Sequence, residues 1–262
     1  MISITTADLN AWIAAVLWPL TRILALMTTA PLLGNQKVPV AVKIGLAVLI
    51  TAAVAPNIDA LPAIDPASGA GLLVLVNQLL IGMAMGFAMQ LVFTAVEMAG
   101  EFIAMQMGLG FAVFYDPQSA GQTPVIGQFL GLLATLVFLA INGHLLMVTV
   151  MAESFTALPV AGTALSAFGW NTVASFGAKI FLAALLMSLP IIVTLLAVNL
   201  ALGVLTRSAP QLNIFAIGFP ITLTVGMGLL MLALPHLTPQ FERLMQDGLG
   251  MMLQVVQSSR GR

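Results

Sequence analysis

Long apolar stretches separated by short polar turns make up most of this chain. Stretches without any Lys, Arg, Asp or Glu occupy residues 44–58, 66–96, 117–152, 154–178, 180–206 and 208–241. Because a helix crosses a bilayer with about 20 apolar residues, several of these stretches are long enough to span a membrane. The pattern predicts about six hydrophobic helices, at residues 9–33, 39–57, 71–106, 124–153, 172–203 and 213–236. The predicted fold class is all-α, as a polytopic membrane protein.

The last part of the chain has a different pattern. Thr238 is a suitable N-cap, and Pro239 fits the first position of a helix. Apolar residues then recur at helical spacing, at Phe241, Leu244, Met245, Gly248, Met252 and Val256. We predict one hydrophobic domain over residues 1–236 and an amphipathic helix with a short tail over residues 237–262. The helix is interpreted as packing at the membrane interface or on another subunit, with a recognition tail for a soluble partner as the alternative.

The composition excludes a water-soluble protein. Of 262 residues, 60% are hydrophobic and 6% are charged, with a mean hydropathy of +1.10, whereas soluble domains are about 45–50% apolar and about 25% charged. The net charge of −1 provides no basic surface, so no nucleic-acid partner is expected. The chain has no Cys, which excludes a thiolate metal site, and its two His are too few for a His-cluster metal centre. We expect no metal and no cofactor.

No catalytic residue is predicted. Neither His144 nor His236 has a Ser or Asp around it in a recognisable nucleophile motif, and the chain lacks the Gly-Lys-Ser/Thr loop that binds phosphate. We interpret His144 as a buried, neutral side chain that bonds a backbone carbonyl, with proton sensing as the alternative. The protein is not expected to be an enzyme.

A polar face runs along the second half of the third predicted helix. Gln90, Glu97, Glu101 and Gln106 lie in this half, and the two glutamates are four residues apart on one side. Because lipid does not accept such a face, we expect it to contact water, another subunit or the interior of a pore.

Other charges lie in or beside apolar segments. They are Arg22, Glu153 and Lys179, and a charge at the centre of a spanning helix costs about 2.5–3.5 kcal/mol on insertion scales. We interpret these charges, with the two glutamates, as structural ion pairs between subunits. A path for protons or solutes is the alternative.

Two pairs of glycines have the spacing at which neighbouring helices approach closely. Gly82 and Gly86 lie in the third predicted helix, and Gly127 and Gly131 lie in the fourth. We predict that both pairs are helix-packing sites. The spacing does not identify the helix that packs on each pair.

The stretch between the third and fourth predicted helices is the most informative. Residues 108–124 read GLGFAVFYDPQSAGQTP, and a loop of this length is usually functional. Its three aromatic side chains are too apolar for a solvated loop, so they must pack into protein or block a cavity, and a hydrophobic constriction is one way to close a pore. The candidate gating residues are Gly108, Gly110, Phe111, Phe114, Tyr115, Asp116 and Pro117.

Three parts of the sequence resemble the FliR family, which are subunits of the flagellar type III export gate. They are residues 18–25 with 30–34 and 38–39, residues 108–117, and residues 142–144 with 153–155 and 158–159. Their order and spacing, together with the helix pattern and the tail, extend the resemblance over essentially the whole chain.

The resemblance implies a place in the bacterial inner membrane, in the flagellar basal body. It implies a single copy that assembles with FliP and FliQ, and further with FlhB and FlhA, into a gate of packed hydrophobic hairpins in contact with lipid. Unfolded flagellar proteins pass through this gate, driven by energy supplied elsewhere. The family's gating loop maps onto residues 108–124, with Phe111 and Phe114 as plug aromatics, and the role of Tyr115 stays open.

Two other functions are alternatives at this stage. The first is the homologous export-gate subunit of a virulence type III secretion system, which would keep the architecture and change the exported proteins. The second is a small-solute secondary transporter built around the intramembrane charges. A transporter predicts an inverted repeat and broken helices at a midplane site.

Overall fold

The computed structural model describes residues 6–58, 62, 64–110, 125–160, 166–209 and 214–258. These residues form helices and no strand, so the all-α prediction is confirmed. The α-helices are α1 (Thr6–Thr29), α2 (Val40–Val54), α3 (Gly69–Gln106), α4 (Val125–Ala140), α5 (Gly143–Ala157), α6 (Ala167–Ser208) and α7 (Ile214–Gln257), and a short 3-10 helix follows α2 at Ala55–Asn57.

Five of the described helices are long and apolar enough to cross a membrane, or six if α4 and α5 together count as one broken span. The five segments are Leu9–Thr29, Val40–Asn57, Gly69–Gln106, Ala167–Ser208 and Ile217–Gln257. The segment that contains α2 is only 17% buried, and large apolar side chains such as Val40 and Leu49 are mostly exposed along it. These helices therefore present apolar surface to something outside the chain.

The chain folds into two compact units. The first unit comprises Met1–Val92, Asn142–Ala178 and Met245–Arg262, and the second comprises Phe93–Ile141 and Lys179–Leu244. Because the boundaries fall inside α3, α6 and α7, each of these long helices contributes one part to each unit.

In the first unit, α1 packs closely on the first part of α3. Trp18, Ile23 and Met27 of α1 are fully buried, as are Met85 and Met89 of α3.

Ser68 is the N-cap residue of α3, because its Oγ accepts the N–H of the third helical residue at 3.1 Å.

In the second unit, the remaining part of α3 packs on α4. An ideal Cβ atom on Gly100 would lie 2.7 Å from the Cα atom of Gly127, so the two backbones touch with no side chain between them. The rings of Phe93 and Phe138 meet edge to face, with centroids 5.5 Å apart. Phe102 makes a similar contact with Phe181 of α6, at 6.1 Å.

The single helix predicted over residues 124–153 is wrong. The structure breaks it after Ala140, and Asn142 adopts a left-handed conformation with φ of 56° before α5 begins at Gly143. Asn tolerates this conformation better than most residues, and the following Gly adds no side chain to oppose the turn. The Asn142 carbonyl then accepts the N–H groups of Leu145 and Leu146 in the first turn of α5.

The boundary predicted at Thr238 is also absent, because α7 continues through it to Gln257. Thr238 does not act as a cap: its hydroxyl donates to the carbonyl oxygen of Leu234, one turn earlier in the same helix, at 3.2 Å. Pro235 and Pro239 lie inside the helix, where neighbouring packing often accommodates proline. The buried side chains of Leu237 and Phe241 continue one packed stripe across the expected break.

Candidate functional site

The guanidinium of Arg22 is completely buried in the first unit. Its Nε–H donates to Oε1 of Gln78 on α3 at 2.7 Å. Its Nη1 donates to both the carbonyl oxygen and the hydroxyl of Ser154 on α5, at 3.0 and 3.2 Å. Arg22 therefore ties α1 to α3 and to α5 within this unit.

The remaining contacts of Arg22 come from the end of α5. Nη2 donates to the carbonyl oxygen of Leu158, the C-cap residue, at 3.0 Å, and the ring of Phe155 lies 4.3 Å from the guanidinium carbon. The C-terminus of a helix carries partial negative charge, and an aromatic face attracts a cation. These acceptors are all neutral, which differs from the ion pair that the sequence suggested for Arg22.

Gln78 completes this cluster. While its oxygen accepts from Arg22, its Nε2 donates to the carbonyl oxygen of Val160 at 3.4 Å. Gln78 and Ser154 are buried polar residues that the sequence analysis missed. The available signal was their position as amide and hydroxyl groups inside otherwise apolar segments, where a polar group needs a partner.

Gly82 and Gly86 lie where α3 crosses α1, beside this cluster. A Cβ atom on Gly82 would overlap the carbonyl oxygen of Arg22, and one on Gly86 would overlap the hydroxyl of Thr29. Any larger residue at either position would push the two helices apart.

Glu97 and Glu101 lie in the second unit, on the face of α3 that contacts α4. A Cβ atom on Gly131 would lie 2.9 Å from both Cγ and Oε1 of Glu97, and one on Gly127 would lie 3.3 Å from Cγ of Glu101. The two glycines therefore leave the space that the glutamate side chains occupy. Both glutamates are half-buried, and neither has a cationic partner among the described residues.

The two amides predicted on the same face, Gln90 and Gln106, are also half-buried. Gln90 has a bonding partner, so it is not a free polar group. Between these amides, the face thus carries two negative charges. The described residues provide no cation that neutralises them.

The start of the candidate gating loop is well defined. Gly108 adopts φ of 86°, its N–H donates to the carbonyl oxygen of Met105, and the Leu109 N–H donates to that of Ala104, both at 3.1 Å. This is the Schellman arrangement that ends a helix at a left-handed glycine. Gly110 is exposed. The other candidates lie outside the described residues: Phe111, Phe114, Tyr115, Asp116 and Pro117.

The remaining ionisable candidates do not form a site together. Glu153, Lys179 and His236 are exposed. The Nδ1 atom of His144 is buried and has no hydrogen-bond partner among the described residues, so no carbonyl among them bonds this nitrogen. The described residues contain no cluster of potential ligands that could hold a metal ion.

Comparison with known proteins identifies the family. A family model described as bacterial export proteins, family 1, matches residues 13–248. The flagellar biosynthetic protein FliR of Escherichia coli (strain K12) is 43% identical over 258 residues, which cover 98% of each chain. The protein of the same name from Pectobacterium carotovorum is 44% identical over 94% of each chain.

The similarity extends to distant bacteria. The flagellar biosynthetic protein FliR of Bacillus subtilis is 35% identical over 81% of this chain and 83% of its own. The matched regions include residues of both units. The chain therefore belongs to the family of bacterial export proteins, family 1, in which these FliR proteins are found.

Proposed function

We propose that this chain, a subunit of the flagellar export apparatus, helps to form and close the channel through which unfolded flagellar proteins leave the cell. The observation that carries this proposal is the similarity to flagellar biosynthetic proteins over nearly the whole chain. The relatives compared above are flagellar, which gives no support to the virulence system or to the solute transporter.

The surface of the molecule supports a place inside an assembly in the inner membrane, at the flagellar basal body. Apolar helices such as α2 are mostly exposed on the chain alone, and a lone protein rarely keeps so much apolar surface uncovered in water. We propose that lipid and the subunits FliP, FliQ, FlhB and FlhA cover these surfaces.

The polar face of α3 supports a contact with those neighbours. Glu97 and Glu101 are half-buried carboxylates on one helix, without a cation on the described chain. Placing charges in a low-dielectric environment is costly unless a counter-charge or water reaches them. We propose that a neighbouring subunit or the water of the pore supplies this compensation for the face from Gln90 to Gln106.

We further propose that residues 108–124 form the gating loop, with Phe111 and Phe114 as the plug. The support is that the helix ends at Gly108, so the aromatic stretch follows an apolar helix directly in the sequence. The role of the chain is then passive, and other components of the apparatus provide the driving energy.

The proposal is tested in two steps. First, this chain should restore swimming and flagellar export to a bacterium that lacks its own FliR protein, whereas a virulence-type subunit or a transporter should not. Second, replacing Phe111→Ala together with Phe114→Ala should let small solutes leak through the assembled gate. Phe129→Ala, at an exposed site in α4, is the matched control. A double variant that assembles normally and leaks no more than this control contradicts the plug.

A further inference from the structure

The end of α3 is held by α7 within the second unit. The carbonyl oxygen of Met107, the residue before the left-handed Gly108, accepts a hydrogen bond from the hydroxyl of Thr222 at 3.1 Å. Thr222 is buried, and its hydroxyl is shared with the carbonyl oxygen of Phe219 in its own helix, also at 3.1 Å. A hydroxyl on α7 thus bonds a buried carbonyl at the end of this helix.

The side chain of Met107 is fully buried and occupies a notch on α7. An ideal Cβ atom on Gly226 would lie 2.5 Å from Cγ of Met107, 2.9 Å from Cε and 3.0 Å from Sδ. Carbon atoms pack at about 3.5–4.0 Å, so any side chain at position 226 must displace Met107. Gly226 lies one turn after Thr222 on α7, and both residues contact Met107 from the same side.

A second glycine on α7 shows that this fit is local. Gly228 is two residues further along the helix, and a Cβ atom there would meet no atom within 4 Å. Glycine is a poor helix former wherever it occurs in the interior of a helix. Of these two glycines, only Gly226 has a packing reason to lack a side chain.

We propose that Thr222 and Gly226 are positioning residues for the gate: they form a socket for Met107 that fixes where residues 108–124 leave α3. This inference rests on the proposed gating role of that loop. The Schellman turn sets the direction of the chain at Gly108, and the socket sets the position of the residue before it. Because Thr222 and Gly226 both lie on α7, a displacement of α7 relative to the end of α3 would also move the point at which the loop begins.

The test uses the assembled complex with Gly226→Ala, and Gly228→Ala as its matched control. In Gly226→Ala, we expect amide hydrogen exchange at Gly108 and Leu109 to become at least tenfold faster and the solute leak to rise several-fold. Both quantities should stay at the wild-type level in Gly228→Ala. Adding Met107→Ala to Gly226→Ala should partly reverse the leak, because the shorter side chain no longer meets the new methyl group.

A second pair of variants tests the hydrogen bond alone. Thr222→Val keeps the shape of the side chain and removes the donor to Met107, so exchange and leak should change in the same direction but less. Thr224→Val is its control, because the Thr224 hydroxyl donates within its own helix, to the carbonyl oxygen of Pro220, and bonds no other described residue. If Gly226→Ala does not assemble, this pair still tests whether the contact with α7 positions Met107.

The outcomes separate the socket from the plug. Unchanged exchange at Gly108 and Leu109 in both Gly226→Ala and Thr222→Val overturns the socket, whatever the leak. Faster exchange without a leak, in a gate that does leak after Phe111→Ala with Phe114→Ala, overturns the positioning role and leaves the plug intact. If that double variant does not leak either, the proposed plug fails, and the positioning role fails with it.

Discussion

The two units differ in whether their enclosed charged side chains have partners on the same chain. In the first unit, Arg22 is completely buried and donates four hydrogen bonds to acceptors of its own chain. In the second, Glu97 and Glu101 are only half-buried and have no cation on the described chain. The hydrogen bonds of the first centre are made within the chain, whereas the described residues provide no counter-charge for the second.

This difference separates stability from assembly. A charge whose hydrogen bonds are all made inside the chain contributes to folding, and removing it leaves buried acceptors without donors. A charge without a partner on its own chain contributes little to the stability of the isolated chain. We expect such a charge to affect the binding of neighbouring subunits instead. Variants at the two centres should therefore fail in different assays.

The largest effect is expected at Arg22. Arg22→Met leaves Gln78 and the carbonyl groups of Ser154 and Leu158 without their donor, at a cost of about 3 kcal/mol or more. Thermal unfolding of the purified chain in detergent measures this loss, with the exposed Arg243→Met as control. Arg22→Lys should recover only part of it, because an ammonium lacks the planar fork that reaches several acceptors. Equal melting of Arg22→Met and the control would show that the hydrogen bonds of Arg22 do not stabilise the fold.

An intermediate effect is expected where α3 meets α4 beneath the glutamates. Gly100→Ala places a methyl group against the backbone of Gly127, and such overpacking costs about 1–3 kcal/mol. The control is Gly45→Ala on α2, where no atom lies within 4 Å of the new methyl group. The melting temperature should fall for the first variant and stay level or rise for the second. A fall in both would mean that the loss does not come from the contact with α4.

The smallest effect on folding is expected at Glu97. Because it has Glu101 as a like-charged neighbour and no cation on the described chain, Glu97→Gln should leave the melting of the isolated chain unchanged or slightly improved. Recovery of the complex with FliP and FliQ should fall instead, as measured by co-purification in mild detergent. The exposed Asp247→Asn serves as the control, since no subunit ion pair is assigned to that residue. A variant that loses stability by itself and assembles normally would reverse the roles assigned to the two units.

The sequence predicted the helices better than their ends. Long apolar segments report a buried or lipid-facing helix regardless of its partners, so α1, α2, α3 and α6 lie close to their predicted positions. The break at Asn142 was missed because apolar segments continue on both sides of it. The end placed at Thr238 was wrong because a capping residue followed by proline is a local signal, and packing on both sides of Pro239 overrode it.

The partners of buried charges could not be predicted, for a different reason. Arg22 bonds groups that lie 56 to 136 residues away in the sequence, and two of its acceptors are backbone carbonyls, which every residue carries. The sequence therefore contains no oppositely charged residue that would identify these acceptors. The close fit of Met107 against Gly226 was equally hidden, because the spacing of glycines does not reveal what lies opposite each one.

The exposure of α2 has a consequence for the life of the protein in the cell. A newly made copy without its companion subunits leaves this apolar helix uncovered on most of its surface, and exposed apolar surface of this kind favours aggregation. We expect the abundance of this chain to follow that of its companions, so that excess synthesis is corrected by degradation. The apolar helix α2, which contacts the rest of the export apparatus, would then also determine the abundance of this subunit.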